Sequence, residues 1–164
     1  MKHATLCIPI TDTHILLGKK KINFGIGKWN GFGGKIKEGE SPEGATVREL
    51  MEECGLSAKE DDLEKVGILK FYFNNEPAFL VHTYLIRTWA GEPIESDEMT
   101  PQWHTRDTIP YDEMWKVDSL WMEKVFSGEK VSAHVYYKTS GIPGKDEETF
   151  DRIEYDESLW DAYV

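Results

Sequence analysis

A chain of 164 residues is long enough for one domain with a buried core. Its 40% hydrophobic content, with six Trp, seven Tyr and seven Phe, excludes a disordered polypeptide. A formal net charge of −11 excludes general electrostatic binding to long nucleic acids, which needs a broad basic surface, and no apolar run is long enough to span a bilayer.

The N-terminal MKHATLCIPI runs directly into a strand pattern and lacks the layout of a signal peptide. Short apolar strands are expected at 4–10 and 14–17, around the turn Thr11-Asp12-Thr13. A long loop then runs from Gly18 to about Gly39, punctuated by Gly25, Gly27, Gly31, Gly33, Gly34 and Gly39. Loops of that length inside a domain are usually functional. Six lysines and no acid lie between Lys19 and Lys37, and carboxylates begin abruptly at Glu38. A helix is predicted over 42–54, then strands at 65–73 and 79–87 joined by a turn at Asn74–Pro77. A shorter strand at 102–105 follows ESDEM, a second helix covers 117–126, and strands at 132–138 and 149–155 flank the turn SGIPGKDEE. With no repeat and no linker, the expectation is one α+β domain over residues 1–164, with an acidic hairpin from about 139 onward. Cys7 and Cys54 form neither a disulfide framework nor a metal-ligand spacing, which suits a reducing, cytoplasmic setting. The five histidines, His3, His14, His82, His104 and His134, likewise show no ligand spacing and read as structural or surface residues.

The helix at 42–54 poses a chemical question. Ser41 is a good N-cap, Pro42 suits the first helical position and Gly55 suits the residue beyond the end. At about 100° per residue, Val47, Leu50, Met51 and Cys54 make an apolar face, with Glu49, Glu52 and Glu53 opposite. Like charges at this spacing repel unless something positive lies among them. Glu49 and Glu53 are one turn apart, about 6 Å along the axis, a spacing that suits carboxylates around a hard divalent cation. On the helix alone, a solvated acidic face is the simpler account.

The surrounding residues change that account. Gly34, Glu40, Arg48, Glu49, Leu50, Glu52, Glu53, Gly55 and Leu56 spell G-x5-E-x7-R-E-L-x-E-E-x-G-L over 23 residues. All nine defined positions match the Nudix box, so the chain is identified as a member of the Nudix hydrolases. The resemblance implies the Nudix fold, an α/β/α sandwich with a mixed β-sheet between helices. It also implies Mg²⁺, with Mn²⁺ as a substitute, bound by Glu49, Glu52, Glu53 and the Gly33 carbonyl. Arg48 would orient the carboxylates, and the identity of the general base stays open among the glutamates.

Outside the box, GKWNGFGGK (27–35), ESDEM followed by Pro101 and Trp103, and IPYDEMW followed by Asp118, Ser119 and Trp121 resemble the vertebrate-type MutT homologues. Those enzymes are oxidised purine nucleoside triphosphatases that hydrolyse 8-oxo-dGTP. By this resemblance Glu98 would add a carboxylate, and Asn30 and Asp118 would read the purine. Phe24 and Trp115 would sandwich it, Thr5, Phe71 and Phe79 would line the pocket, and Lys20 in the lysine-bearing loop would bind the substrate. Each has a plainer reading: core aromatics for Trp115 and Phe71, a turn for Asn30, an exposed acid for Glu98. The family carries two adjacent aspartates where this chain has Val117 and Asp118, and a single carboxylate offers fewer donor and acceptor patterns. Narrower or shifted base specificity is therefore expected. The implied partner is a small nucleoside triphosphate, with no membrane or long nucleic acid, and a monomer is expected. The alternatives are a Nudix hydrolase of another nucleotide, such as a modified adenine triphosphate, ADP-ribose or a dinucleoside polyphosphate, and a non-catalytic nucleotide-binding module.

Overall fold

The structure is a computed structural model and describes residues 1–23, 25–138 and 149–164. Strand β1 (Lys2–Pro9) pairs in parallel with β5 (Glu76–Ile86). Strand β5 pairs antiparallel with β4 (Leu63–Phe73), which runs parallel to β7 (Val131–Tyr137), and β8 (Phe150–Tyr155) closes the far edge antiparallel. The order is β1-β5-β4-β7-β8, a mixed sheet. A smaller antiparallel sheet has the order β3-β2-β6, from Trp29–Asn30, His14–Lys20 and Met99–Thr105.

Helices cover both faces of the large sheet. On one face α1 (Pro42–Cys54) shares an apolar cluster with Cys7, Phe32, Tyr84 and Ile86, and α3 (Glu157–Tyr163) sets Leu159 against Ile68 and Leu80. On the other, α2 (Asp118–Phe126) places Trp121, Met122 and Val125 in the main core with Leu69, Leu85 and Val135. The alternation of apolar residues along β5 and β4 feeds both clusters, as a sheet buried on two sides requires.

Several expected bounds shift. Strand β2 continues to Lys20, so part of the lysine stretch is strand, and β3 interrupts the long loop. Strand β6 starts at Met99, within ESDEM, because Ser96 Oγ accepts from the Met99 N–H at 3.1 Å and turns the chain there. The acidic C-terminal stretch carries helix α3 after β8. Its Asp156 carboxylate caps the helix by accepting from Ser158 N–H at 3.0 Å. The turn SGIPGKDEE spans 140–148, outside the described residues, as does Phe24.

Candidate active site

Helix α1 begins and ends where local signals place it. Ser41 Oγ accepts from Gly44 N–H at 2.9 Å, and Gly55 adopts φ 73°, a left-handed conformation. The buried face differs from the simple wheel. Leu50, Cys54 and Glu53 are buried, whereas Met51 is 49% exposed. The reason is the glycine-rich stretch, which lies along the free edge of β1 like an extra strand. Cys7 and Phe32 exchange both backbone hydrogen bonds, at 2.6 and 2.8 Å, and Thr5 N–H donates to Gly34 carbonyl at 2.9 Å. This path sets the Gly33 N–H 2.7 Å from Glu53 Oε1, giving a buried carboxylate a donor that apolar periodicity does not reveal. Only glycine fits there. A Cβ on Gly33 would lie 1.8 Å from the Thr5 carbonyl oxygen, and one on Gly34 would lie 2.6 Å from Glu49 Oε1.

Arg48 organises the remaining acids. Its Nε and Nη2 donate to both oxygens of Glu40, at 2.7 and 2.9 Å, and Nη1 donates to Glu49 at 2.9 Å and Glu52 at 3.2 Å. The Arg48 hydrogen bonds hold the Glu40 carboxyl down at about 2. Burial pushes Glu53 from its ordinary 4.5 up to about 8, against the opposing Gly33 N–H and Lys20, with Glu49 and Glu98 adding to the rise. Burial also raises Glu49, opposed by Arg48. Glu98 is exposed on the turn before β6, within electrostatic reach of both.

Among the described residues, no three His, Cys, Asp or Glu side chains converge as a ready metal cluster, and Glu49 and Glu52 both pair with Arg48. The donor set nonetheless fits a hard divalent cation. Glu53 Oε2 is buried without a hydrogen-bond partner among the described residues, and carboxylate oxygens are what such ions take.

Beside Glu53 opens a cavity of about 240 Å³. It is lined by Thr5, Lys20, Asn30, Gly33, Glu53, Phe71, Phe79, Trp115 and Asp118, all singled out in the sequence. Glu49, Glu52, Glu98 and Arg48 lie outside that lining, and Phe24 lies outside the described residues. Sequence reasoning gave no site role to the apolar remainder of the lining, among it Leu6, Leu69, Phe73, Val81 and Tyr137, nor to Met99 and Trp121, which it quoted only as part of the resemblance. The alternation of Leu69, Phe71 and Phe73 along β4 was the available signal. Trp121 Nε1 donates to Asp118 Oδ1 at 2.9 Å and holds that carboxylate at the start of α2. Val117 is fully buried in the core and does not line the cavity.

The fold is that of MutT-like proteins. A crystal structure of a MutT protein from Bacillus halodurans matches with a TM-score of 0.77 at 23% identity, covering 95% of this chain and 98% of that one. A MutT NUDIX hydrolase from Burkholderia pseudomallei matches at 0.67 and 25% identity, covering 76% and 97%. The NUDIX domain pattern matches residues 1–125, and the chain belongs to the Nudix hydrolase family. Among its relatives is the oxidized purine nucleoside triphosphate hydrolase of Danio rerio, 42% identical over 93% of this chain and 96% of that protein. The Mus musculus protein of the same name is 42% identical over 82% and 85%. As a Nudix hydrolase the chain acts on phosphoric anhydride bonds, in a family that uses divalent metal ions. No helix among the described residues is long and apolar enough to cross a membrane.

Proposed function

We propose that this enzyme hydrolyses oxidised purine nucleoside triphosphates, 8-oxo-dGTP foremost, to the monophosphate and pyrophosphate, clearing damaged nucleotides from the precursor pool. One observation carries the reading. A single cavity runs from the buried carboxylate of Glu53 to Asn30, Asp118 and Trp115, so the anhydride and the base have adjoining places. The names of the vertebrate relatives, and of an Escherichia coli 8-oxo-dGTP diphosphatase 39% identical over 43% of this chain, support the same substrate class.

In this reading Glu49, Glu52, Glu53, Glu98 and the Gly33 carbonyl would hold Mg²⁺, with Mn²⁺ as a substitute. The bound metal supplies charge neutralisation and an activated water. Water would add to phosphorus as the P–O–P bond breaks, its proton passing to one of the glutamates and the bond pair to the leaving phosphate oxygen, whose charge Lys20 would offset. Arg48 orients the carboxylates. Trp115 stacks the base, with Phe24 as its partner, while Asn30 and Asp118 read its polar edge. Thr5, Phe71 and Phe79 shape the wall. A second reading, the same chemistry on another modified purine nucleotide, draws on Val117, whose burial leaves Asp118 as the aspartate lining the base end. The chain also fits a monomer of a reducing compartment: both cysteines are free and buried, and net charge of −11 opposes self-association.

The deciding experiment is pyrophosphate release with Mg²⁺ from 8-oxo-dGTP and dGTP side by side, with Glu53→Gln as control. Preference for the oxidised base, lost in the variant, is the expected result. Equal turnover of both nucleotides would move the assignment to the second reading.

A further inference from the structure

Of the lysines in the glycine-rich stretch, one sits against the aromatic wall of the cavity without lining it. Lys28 Nζ lies 4.9 Å from the centroid of the Trp115 ring, and Trp115 faces the cavity while Lys28 does not. The ammonium thus approaches an indole of the cavity wall without itself lining the cavity. Other lysines nearby are engaged differently. Lys20 lines the cavity, Lys21 pairs with Glu95 at 3.1 Å, and Lys19 lies over Trp29.

The backbone around Lys28 is built to hold that place. Its N–H donates to the Gly25 carbonyl at 3.0 Å, and its carbonyl accepts from Lys20 N–H at 2.9 Å. The same carbonyl accepts from the Asn30 side-chain amide, Nδ2, at 3.4 Å. Gly25, in the left-handed region at φ 82°, lies on the indole, and a Cβ there would come within 3.6 Å of Trp115. One short turn therefore touches two cavity-lining residues from separate elements. Tyr137 completes the seat by meeting Trp115 edge-on, at 5.8 Å and 80°.

Two physical consequences follow. A cation over an indole is held by the ring quadrupole, so the ring is fixed before any ligand arrives. A cation on one face also draws π density towards itself, leaving the opposite face less negative and a better partner for an electron-rich ring. An 8-oxo-purine is richer in electrons than its parent, so the effect favours the oxidised base. Meanwhile the Lys28 carbonyl occupies one N–H of Asn30, leaving the amide oxygen and the other N–H to face a ligand.

We infer that Lys28 is a positioning residue for base recognition: its ammonium fixes and polarises Trp115 as a stacking platform, and its carbonyl orients the Asn30 amide beside it. The inference rests on the reading that a purine stacks on Trp115.

The test uses the full chain with 8-oxo-dGMP and dGMP as probes, followed by tryptophan quenching, with Trp115→Phe identifying the Trp115 signal. Lys28→Met keeps the aliphatic stem and removes the charge; Lys28→Arg keeps a cation. Lys28→Met is expected to weaken 8-oxo-dGMP binding about two- to fivefold, and dGMP binding less. In turnover the loss falls on KM more than on kcat, Lys28→Arg restores binding, and the melting temperature stays where it was. Wild-type affinity in Lys28→Met overturns the inference while leaving the proposed function intact. Equal losses in both variants with a lowered melting temperature overturn it too, since that is a structural role. If wild type binds both nucleotides alike through Trp115 and Lys28→Met weakens both, the preference for oxidised bases falls and Lys28 keeps its role. If neither nucleotide quenches Trp115, both readings fall.

Discussion

Glu53 accepts a hydrogen bond from the Gly33 backbone N–H at 2.7 Å through Oε1, while Oε2 is buried with no hydrogen-bond partner among the described residues. A carboxylate in this position is poorly solvated, and burial raises it from 4.5 to about 8. The sign of the linkage follows from the raised value. Without metal, the unfolded chain releases this proton near pH 4.5 and the folded chain near 8, so stability falls as pH rises between them. Glu53→Gln should therefore abolish hydrolysis yet stabilise the metal-free protein at pH 8 by about 1–3 kcal/mol, with little gain at pH 4.5. Thermal melts at both pH values in EDTA check this. A variant less stable than wild type at pH 8 would mean that the Glu53 charge is compensated without metal.

Arg48 binds Glu40 through two nitrogens and reaches Glu49 and Glu52 through a third. That fork is specific to guanidinium, and an ammonium reproduces its charge without its geometry. Arg48→Lys is expected to weaken divalent-metal binding by about tenfold or more, since groups that orient ligands commonly contribute that much. Calorimetric titration with Mn²⁺ reads the effect directly. Unchanged affinity would reduce Arg48 to a brace for the Glu40 turn.

The ends of α1 were legible because local chemistry sets them: Ser41, Pro42 and Gly55 act within a few residues of themselves. About half of the cavity lining was named from the sequence: Asn30, Gly33, Glu53, Trp115 and Asp118 fall in the box and the flanking blocks, and Thr5, Lys20, Phe71 and Phe79 came from the wider resemblance. The exchange of Met51 for Glu53 on the buried face was not legible. A helical wheel assigns burial by hydrophobicity, whereas here a backbone N–H twenty residues upstream makes burial of a carboxylate tolerable. Helix α3 escaped for a different reason. Its seven residues, ESLWDAY, are too short and too acidic to show a period, and it is held by the docking of Leu159 on Ile68 and Leu80. Val117 was read as standing where the family has an aspartate, and its side chain is buried in the core.

Base choice is the next consequence. Asp118 lines the cavity with Oδ1 accepting from Trp121 Nε1 at 2.9 Å, and Val117 does not line it. A carboxylate held by an indole N–H in this way presents few alternative patterns of donors and acceptors. Turnover of 8-oxo-dGTP and 2-oxo-dATP should then differ by about tenfold or more, because a site built to hydrogen-bond one edge discriminates strongly against another. Asp118→Asn should lower kcat/KM for the preferred nucleotide and narrow the gap. Equal rates for both nucleotides in wild type would show that the base is read elsewhere.

On the face of the sheet away from the cavity, His82 links α3 to acid stability. Lys65 Nζ lies 2.9 Å from His82 Nδ1 and donates to the Tyr163 carbonyl at 3.1 Å, while His3 approaches His82 Nε2 at 3.5 Å and meets the Tyr163 ring edge-on. Glu43, which accepts from Tyr84 Oη at 3.0 Å, is the acid that acts on this group. Burial first, then Lys65 and His3, lower His82 from 6.5 to about 4. With the folded value depressed, the unfolded chain binds the extra proton between these limits. The stabilisation is complete above pH 6.5 and is lost as pH falls towards 4, by up to about 3 kcal/mol. Protonation would also set a second positive charge beside Lys65 and cost Lys65 one of its acceptors, loosening the seat of Tyr163. Melting temperatures of wild type and His82→Gln measured from pH 7 to pH 4 should converge as the pH falls, because the variant lacks this titration. Parallel curves would show that acid sensitivity arises elsewhere and that His82 serves α3 only through packing.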